Sequence, residues 1–228
     1  TLHIAGEPGI GKSILANQIG VNMAIDGHGG AIYSMEMKRK MVARRALSAL
    51  SKVATRSLKT GNLEDDDWTK FIGAVDKLGS LPIFLCDEPD LTIQQIRVDC
   101  ARLKAQWGIE WFLVDYLLLM GGYEKLDETE RSARFSKGIS DIAKSLDLVG
   151  ITIDSVTKDL MDGGAPNKKS VRGSGQIIHD ADIVAILTEH INPGGKKNHN
   201  LATLTFTKGR ELDAGLFSVD LLRTKQYP

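Results

Sequence analysis

A chain of 228 residues with 42% apolar and 25% charged side chains holds enough hydrophobic material for one or two cores, which excludes disordered and collagen-like classes. Its 29 basic and 29 acidic residues cancel, so any nucleic-acid contact must come from local clusters and not from a globally basic surface. Cys86 and Cys100 form no C-x-x-C pair, which excludes a cysteine-built zinc site and suits a reducing compartment; the longest apolar run, Trp111–Met120, is broken by Asp115 and too short to span a bilayer.

In chain order, Thr1–Ser13 (TLHIAGEPGIGKS) reads as a short apolar strand running into Gly6-x-x-x-x-Gly11-Lys12-Ser13, with a helical pattern from Ile14 onward. Strand before and helix after is the context a phosphate-binding loop requires. Gly6, Gly9 and Gly11 are expected to take positive φ, so that the backbone of Gly6, Glu7, Pro8, Gly9, Ile10 and Gly11 curls into an anion cradle at a helix N-terminus. Lys12 is expected to reach the β- and γ-phosphates and Ser13 to ligate Mg²⁺. These residues imply binding of a nucleoside triphosphate. The chain opens on this strand without an initiator Met or a signal-peptide pattern, and is expected to be an excised domain lacking upstream elements.

The spacing then predicts a helix over Ile14–Ile25, ended by Gly27-His28-Gly29-Gly30, and a strand Ala31–Met37. Helix Lys38–Val53 follows, with Arg39, Lys40, Arg44 and Arg45 beside its apolar side. After Gly61-Asn62, an acidic start at Glu64–Asp67 opens a helix that runs through Phe71, Ile72 and Val75 to Gly79. A strand Pro82–Cys86, an amphipathic helix Thr92–Gln106, a buried strand Trp111–Leu119, a helix Glu128–Leu146 and a strand Val149–Val156 complete the alternation. That order predicts an α/β fold, a mostly parallel twisted sheet flanked by helices. Strands Ile183–Leu187, Leu201–Thr207 and Leu216–Leu222 have no long helix between them, so the sheet is expected to finish with antiparallel strands at its C-terminal edge. Gly163–Gly175, rich in Gly, Lys, Ser and Asn, reads as a mobile loop, and 1–228 as a single domain.

Asp115 lies in the most apolar strand, where an acid needs a reason; holding Mg²⁺ through Ser13 or water supplies one. Glu36 ends the second strand, on the carboxyl edge where α/β sheets bind ligands. There it either polarises the attacking water or is a solvated strand end. Lys208 and Arg210 end a late strand, as solvated cations or as an arginine finger with a lysine offered to a neighbouring subunit's γ-phosphate. Lys168, Lys169 and Arg172 are solvated surface on one molecule; repeated around a ring they would line a channel for a single strand's phosphates. Aromatics are absent from Lys158–Gly175, so such contact would be to the backbone and nearly sequence-blind. The histidines show no metal spacing.

Taken together, Gly6–Ser13, Ser34-Met35-Glu36-Met37, Thr60-Gly61-Asn62-Leu63 with Asp66-Asp67-Trp68, Val114-Asp115-Tyr116-Leu117-x-Leu119-Met120, Val171-Arg172-x-Ser174-Gly175 with Asp180-Ala181-Asp182, and Lys208-x-Arg210 resemble the C-terminal, RecA-like ATPase domain of DnaB-type replicative DNA helicases, over essentially the whole length. The resemblance implies ATP with Mg²⁺, Glu36 as catalytic glutamate, Asp115 as the metal-associated acid, and Lys208 and Arg210 acting in trans. It implies Arg172, Gly173 and Gly175 on a loop that grips the DNA backbone. It further implies a hexameric ring around single-stranded DNA, a primase or loader as partner, no membrane, and a bacterial or phage-infected cytoplasm. The family's upstream linker helix is not in this chain, so this span alone is expected to form weak hexamers or none.

Four departures stand out: Val156 where the family's phosphate-sensing Gln is expected, Leu118 for another Gln, Gly173 for a Glu, and Glu211-Leu212 for the Asn-Gly after the finger. They bear on how hydrolysis is coupled to movement. Two functions therefore stand side by side: a helicase motor, and a RecA-like, ATP-dependent assembly or recombinase-type protein that binds nucleotide and DNA without unwinding.

Overall fold

The computed structural model describes residues 1–123, 125–162, 164–171, 174–193, 195–209 and 217–222, without the side chains of Ser174 and His199. Its elements are β1 (Leu2–Gly6), α1 (Lys12–Ile25), β2 (Gly30–Ser34), α2 (Arg39–Ser51), α3 (Thr55–Thr60), α4 (Asp65–Ser80), β3 (Ile83–Cys86), α5 (Ile93–Trp107), β4 (Trp111–Asp115), α6 (Glu128–Leu146), β5 (Val149–Ser155), α7 (Lys158–Met161), α8 (Ser174–Asp180), β6 (Ile183–Ile191), β7 (Lys197–Gly209) and β8 (Phe217–Leu222). The strands form one sheet in the order β3-β2-β4-β5-β1-β6-β7-β8. All pairs from β3 to β6 are parallel, and β6-β7 and β7-β8 are antiparallel, as the sequence predicts.

Helices on both faces explain why the inner strands read as unbroken apolar runs: every residue of Trp111–Asp115 is buried. One face packs Ile4, Ile32, Leu113, Ile151 and Ile153 under α1; the other packs Phe112 and Val114 under α5 and α6. Local signals start these helices. Thr92 and Gln95 form a reciprocal capping box ahead of α5, and the Asp127 carboxylate accepts from the Glu130 N–H (2.8 Å) ahead of α6.

The strand expected over Trp111–Leu119 stops at Asp115, and Leu117–Leu119 is a 3-10 turn. Pairing with β2 ends at Ser34–Asp115, and the Arg131 guanidinium then takes the carbonyls of Leu118 and Met120 as acceptors (2.9 and 3.2 Å). Within the expected Gly163–Gly175 loop, residues 167–171 form local structure. Lys168–Ser170 is a 3-10 turn capped by Asn167, the Thr157 N–H donates to the Ser170 carbonyl (2.9 Å), and Val171 is buried in a β-bridge to Val156. The short helices α3, α7 and α8 were not foreseen, and β6 and β7 run past their apolar cores into a polar hairpin. In α4 only Ala74 is buried, while Trp68, Ile72 and Val75 are exposed. No helix among the described residues is long and apolar enough to cross a membrane.

Candidate nucleotide-binding site

Gly9 and Gly11 adopt φ of 77° and 109°, as the cradle demands. Gly6 does not, and its glycine has another cause: a Cβ there would stand 2.7 Å from the Leu187 carbonyl oxygen on β6. α1 begins at Lys12, two residues before the expected Ile14, and its N-cap Gly11 offers no side chain, so the free N–H groups of the first turn are left to an anion. The Lys12 ammonium donates to the carbonyls of Gly6 and Glu7, both at 2.8 Å, holding it across the loop. Burial pulls its pKa below the ordinary lysine value, against the attraction of Asp115, Glu36, Asp154 and Glu7.

Asp115 is fully buried at the end of β4. Among the described residues neither of its oxygens makes a hydrogen bond of normal geometry, although the Ser13 hydroxyl lies close enough to ease the charge. Burial pushes its pKa up to about 6, with Glu36 adding to the rise and Ser13, Lys12 and Arg45 opposing it. A dry, unpartnered carboxylate beside a serine hydroxyl is the donor set a hard cation needs, so these residues fit Mg²⁺.

This environment has a measurable consequence for stability. Between the unfolded value of 3.8 and about 6 the native state holds a proton that the unfolded chain has released, so stability falls as pH rises through that window and stays low above it. Keeping the group ionised at neutral pH costs ~3 kcal/mol, of which a buried, unpaired amide would recover only part. Asp115→Asn is therefore expected to raise the nucleotide-free melting temperature at pH 7.5 by about 3–6 °C, and to flatten its fall between pH 4 and 6. A lower melting temperature at pH 7.5 would contradict the reading.

Glu36 reaches the site through a turn. The Ser34 hydroxyl donates to the Met37 carbonyl (2.8 Å) and accepts from the Met37 N–H (3.3 Å), which ends β2 at Ser34 rather than the expected Met37 and leaves Glu36 exposed above the strand end. The Met35 N–H donates to the Asp115 carbonyl (2.9 Å), tying this turn to β4. Lys12, Ser13 and Glu36 line one cavity of about 320 Å³, together with Arg45, Tyr116 and Ser155. Arg45 and Tyr116 were missed as site residues. Arg45 had a signal, since it falls on the inward stripe of α2 with Val42 and Ala49; Tyr116 simply follows Asp115.

The departure expected at Val156 needs correction. Val156 is buried with Leu160, Val171 and Ile177 and does not face the cavity. Ile153 packs on the α1 face, and strand alternation puts Ser155, the register partner of Gly6, on that same face over the loop. Ser155 thus lines the cavity beside the loop, and Val156 does not. Asp154 also borders the cavity, and its Oδ2 lies 3.1 Å from His3 Nδ1, itself 2.7 Å from the Thr152 hydroxyl.

Of the remaining expected residues, those described lie apart. Lys168 and Lys169 are exposed on their turn, and Gly175 is exposed in α8; Arg172, Gly173 and Arg210 lie outside the described residues, as does Glu211-Leu212. Lys208 pairs with Val184, which is level with His3, so it sits about 10 Å below the loop along the strands and about 10 Å to one side. Its ammonium donates to the carbonyls of Ile178 and Ala181.

Strand, glycine turn, lysine and serine at a helix start, and a buried acid on a parallel strand define a P-loop nucleotide-binding domain of RecA-like architecture. The sequence model of the family described as "DnaB-like helicase C terminal domain" matches residues 1–226, and the chain belongs to that family. It is 30% identical over 230 residues to "Replicative DNA helicase DnaC" of Bacillus subtilis (98% of this chain, 50% of that protein). It is 32% identical over 190 residues to "Replicative DNA helicase DnaB" of Helicobacter pylori (81% and 38%). A solved structure described as "The Structure Of A DnaB-Like Replicative Helicase And Its Interactions With Primase" superposes with a TM-score of 0.89 at 22% identity, covering 99% of this chain and 55% of that one, a likeness of fold. The chain spans about half the length of the curated relatives it matches, or less.

Proposed function

We propose that this chain is the motor domain of a replicative DNA helicase, hydrolysing ATP between neighbouring subunits of a hexameric ring to move along single-stranded DNA and part the duplex. The observation that carries this is that Lys12, Ser13 and Glu36 line one cavity, with buried Asp115 beside Ser13, while the chain's own Lys208 sits two strands from β1 and about 10 Å below the loop. A protomer so built supplies the cradle and the water-activating carboxylate, and needs its finger from next door.

In this reading Gly6, Glu7, Pro8, Gly9, Ile10 and Gly11 wrap the phosphates and Lys12 neutralises them. Ser13 and Asp115 would hold Mg²⁺, which offsets charge on the leaving phosphate oxygens. Glu36 orients and deprotonates the attacking water. Arg210 and Lys208 of the next subunit complete the site. Lys168, Lys169, Arg172, Gly173 and Gly175 contact the DNA backbone. Ser155 leads directly into Val156 and its bridge to Val171, a short covalent and hydrogen-bonded route from phosphate to that loop. A primase or helicase loader is the expected partner, in a bacterial or phage-infected cytoplasm.

The test uses the full-length protein. ATP hydrolysis is expected to rise on adding single-stranded DNA, and a forked duplex to be unwound. DNA affinity is expected to fall with salt by about 0.7 log unit per log unit for each phosphate contacted. Nucleotide and DNA binding without unwinding would favour the assembly protein instead, and a flat salt response would remove the phosphate-lined channel.

A further inference from the structure

α8 begins immediately after Arg172 and Gly173, the centre of the proposed DNA loop, and ends at Asp180. Its last turn exposes carbonyls that lack intrahelical partners. The Lys208 ammonium closes that end, donating to the Ile178 carbonyl and to the Ala181 carbonyl (2.6 Å). A cation on a helix C-terminus also meets the negative end of its dipole. One side chain thus joins the strand that leads to Arg210 with the helix that leads from the DNA loop.

We infer that Lys208 is a two-position latch: it ties the C-terminus of α8 within its own subunit and leaves that tie when it is drawn to the γ-phosphate bound by the neighbouring subunit. The inference rests on the trans reading proposed above and adds the consequence for α8. The two positions exclude each other. The helix carbonyls lie at the amino edge of the chain's own parallel strands, just before β6 begins at Ile183, whereas a neighbour's phosphate lies beyond this subunit's surface. A doubly charged phosphate oxygen cluster is a stronger acceptor for an ammonium than two neutral carbonyls. Nucleotide in one subunit therefore removes the cap from α8 in the next, and with it a constraint on the DNA loop at the other end of this seven-residue helix. Phosphate occupancy reaches DNA in the adjacent subunit through a single lysine.

Hydrogen exchange on the assembled full-length protein tests this. Without nucleotide, the amides of residues 178–181 are expected to be protected. Saturating Mg²⁺ with a non-hydrolysable ATP analogue is expected to speed their exchange roughly tenfold, the scale set by two lost hydrogen bonds. Lys208→Met is expected to show the fast rate already without nucleotide, with no further change on adding it. Lys208→Arg, which keeps both charge and donors, is expected to restore the slow rate, so a folding defect in the Met variant leaves the question answerable. Arg210→Met is expected to keep 178–181 protected without nucleotide. If the analogue binds but leaves exchange at 178–181 unchanged in the parent protein, or if Lys208→Met exchanges like the parent, the latch is wrong while the motor reading stands. If the analogue does not bind at all, the motor reading falls first.

Discussion

Lys12→Ala is expected to weaken nucleotide binding by more than about 100-fold and to reduce ATP turnover to background. The argument lies in what the ammonium does in its place. It is partly desolvated, spans the loop between the Gly6 and Glu7 carbonyls, and is a positive group facing a cavity lined by Glu36 and Asp154, with buried Asp115 close by. Remove it and a triphosphate would enter a site whose nearby acids repel it, with Arg45 the remaining cation on the lining. Titration with a fluorescent ATP analogue, with circular dichroism to confirm folding, measures the effect. Affinity within about threefold of the parent would contradict the cradle assignment.

Arg210→Ala is expected to leave nucleotide affinity within a few-fold and lower turnover in the assembled ring by about 10³ or more, because a finger acts on charge that develops in the transition state. Its trans character has a sharper readout. Lys12→Ala subunits keep their fingers but have no working pocket; Arg210→Ala subunits keep their pockets but have no finger. Mixed in equal amounts, the two inactive proteins are expected to recover DNA-independent hydrolysis at about one interface in four, the statistical share in a closed ring of head-to-tail contacts. No recovery from subunits shown to exchange would mean that Arg210 serves its own subunit's site or none.

Much of the loop's geometry was legible because it is local. A glycine-rich turn followed by Lys and Ser needs only its own φ angles and the helix start behind it, all of which are written in consecutive residues. The buried acid at Asp115 was legible for a similar reason, an ionisable group inside an otherwise apolar strand. Facing directions were less accessible. The helix expected through Phe71, Ile72 and Val75 forms, yet α4 buries only Ala74 and leaves Ile72 and Val75 exposed, since a periodic stripe records which residues share a side and not what covers it. Strand ends were displaced for physical causes too: β2 stops where the Ser34 hydroxyl closes a turn, and β4 where its partner strand runs out.

By itself, then, the sequence determined the α/β order, the parallel sheet with its antiparallel edge, and the glycine turn that opens α1, because hydrophobic period and backbone conformational needs act within a few residues. Only the tertiary structure decided that Ser155 and not Val156 faces the loop, that Arg45 and Tyr116 join the cavity, and that Lys208 closes α8. Each of these depends on strand register or on the meeting of segments far apart in the chain. A shift of one residue in register turns every side chain to the opposite face, and nothing in a neighbouring stretch of sequence sets it.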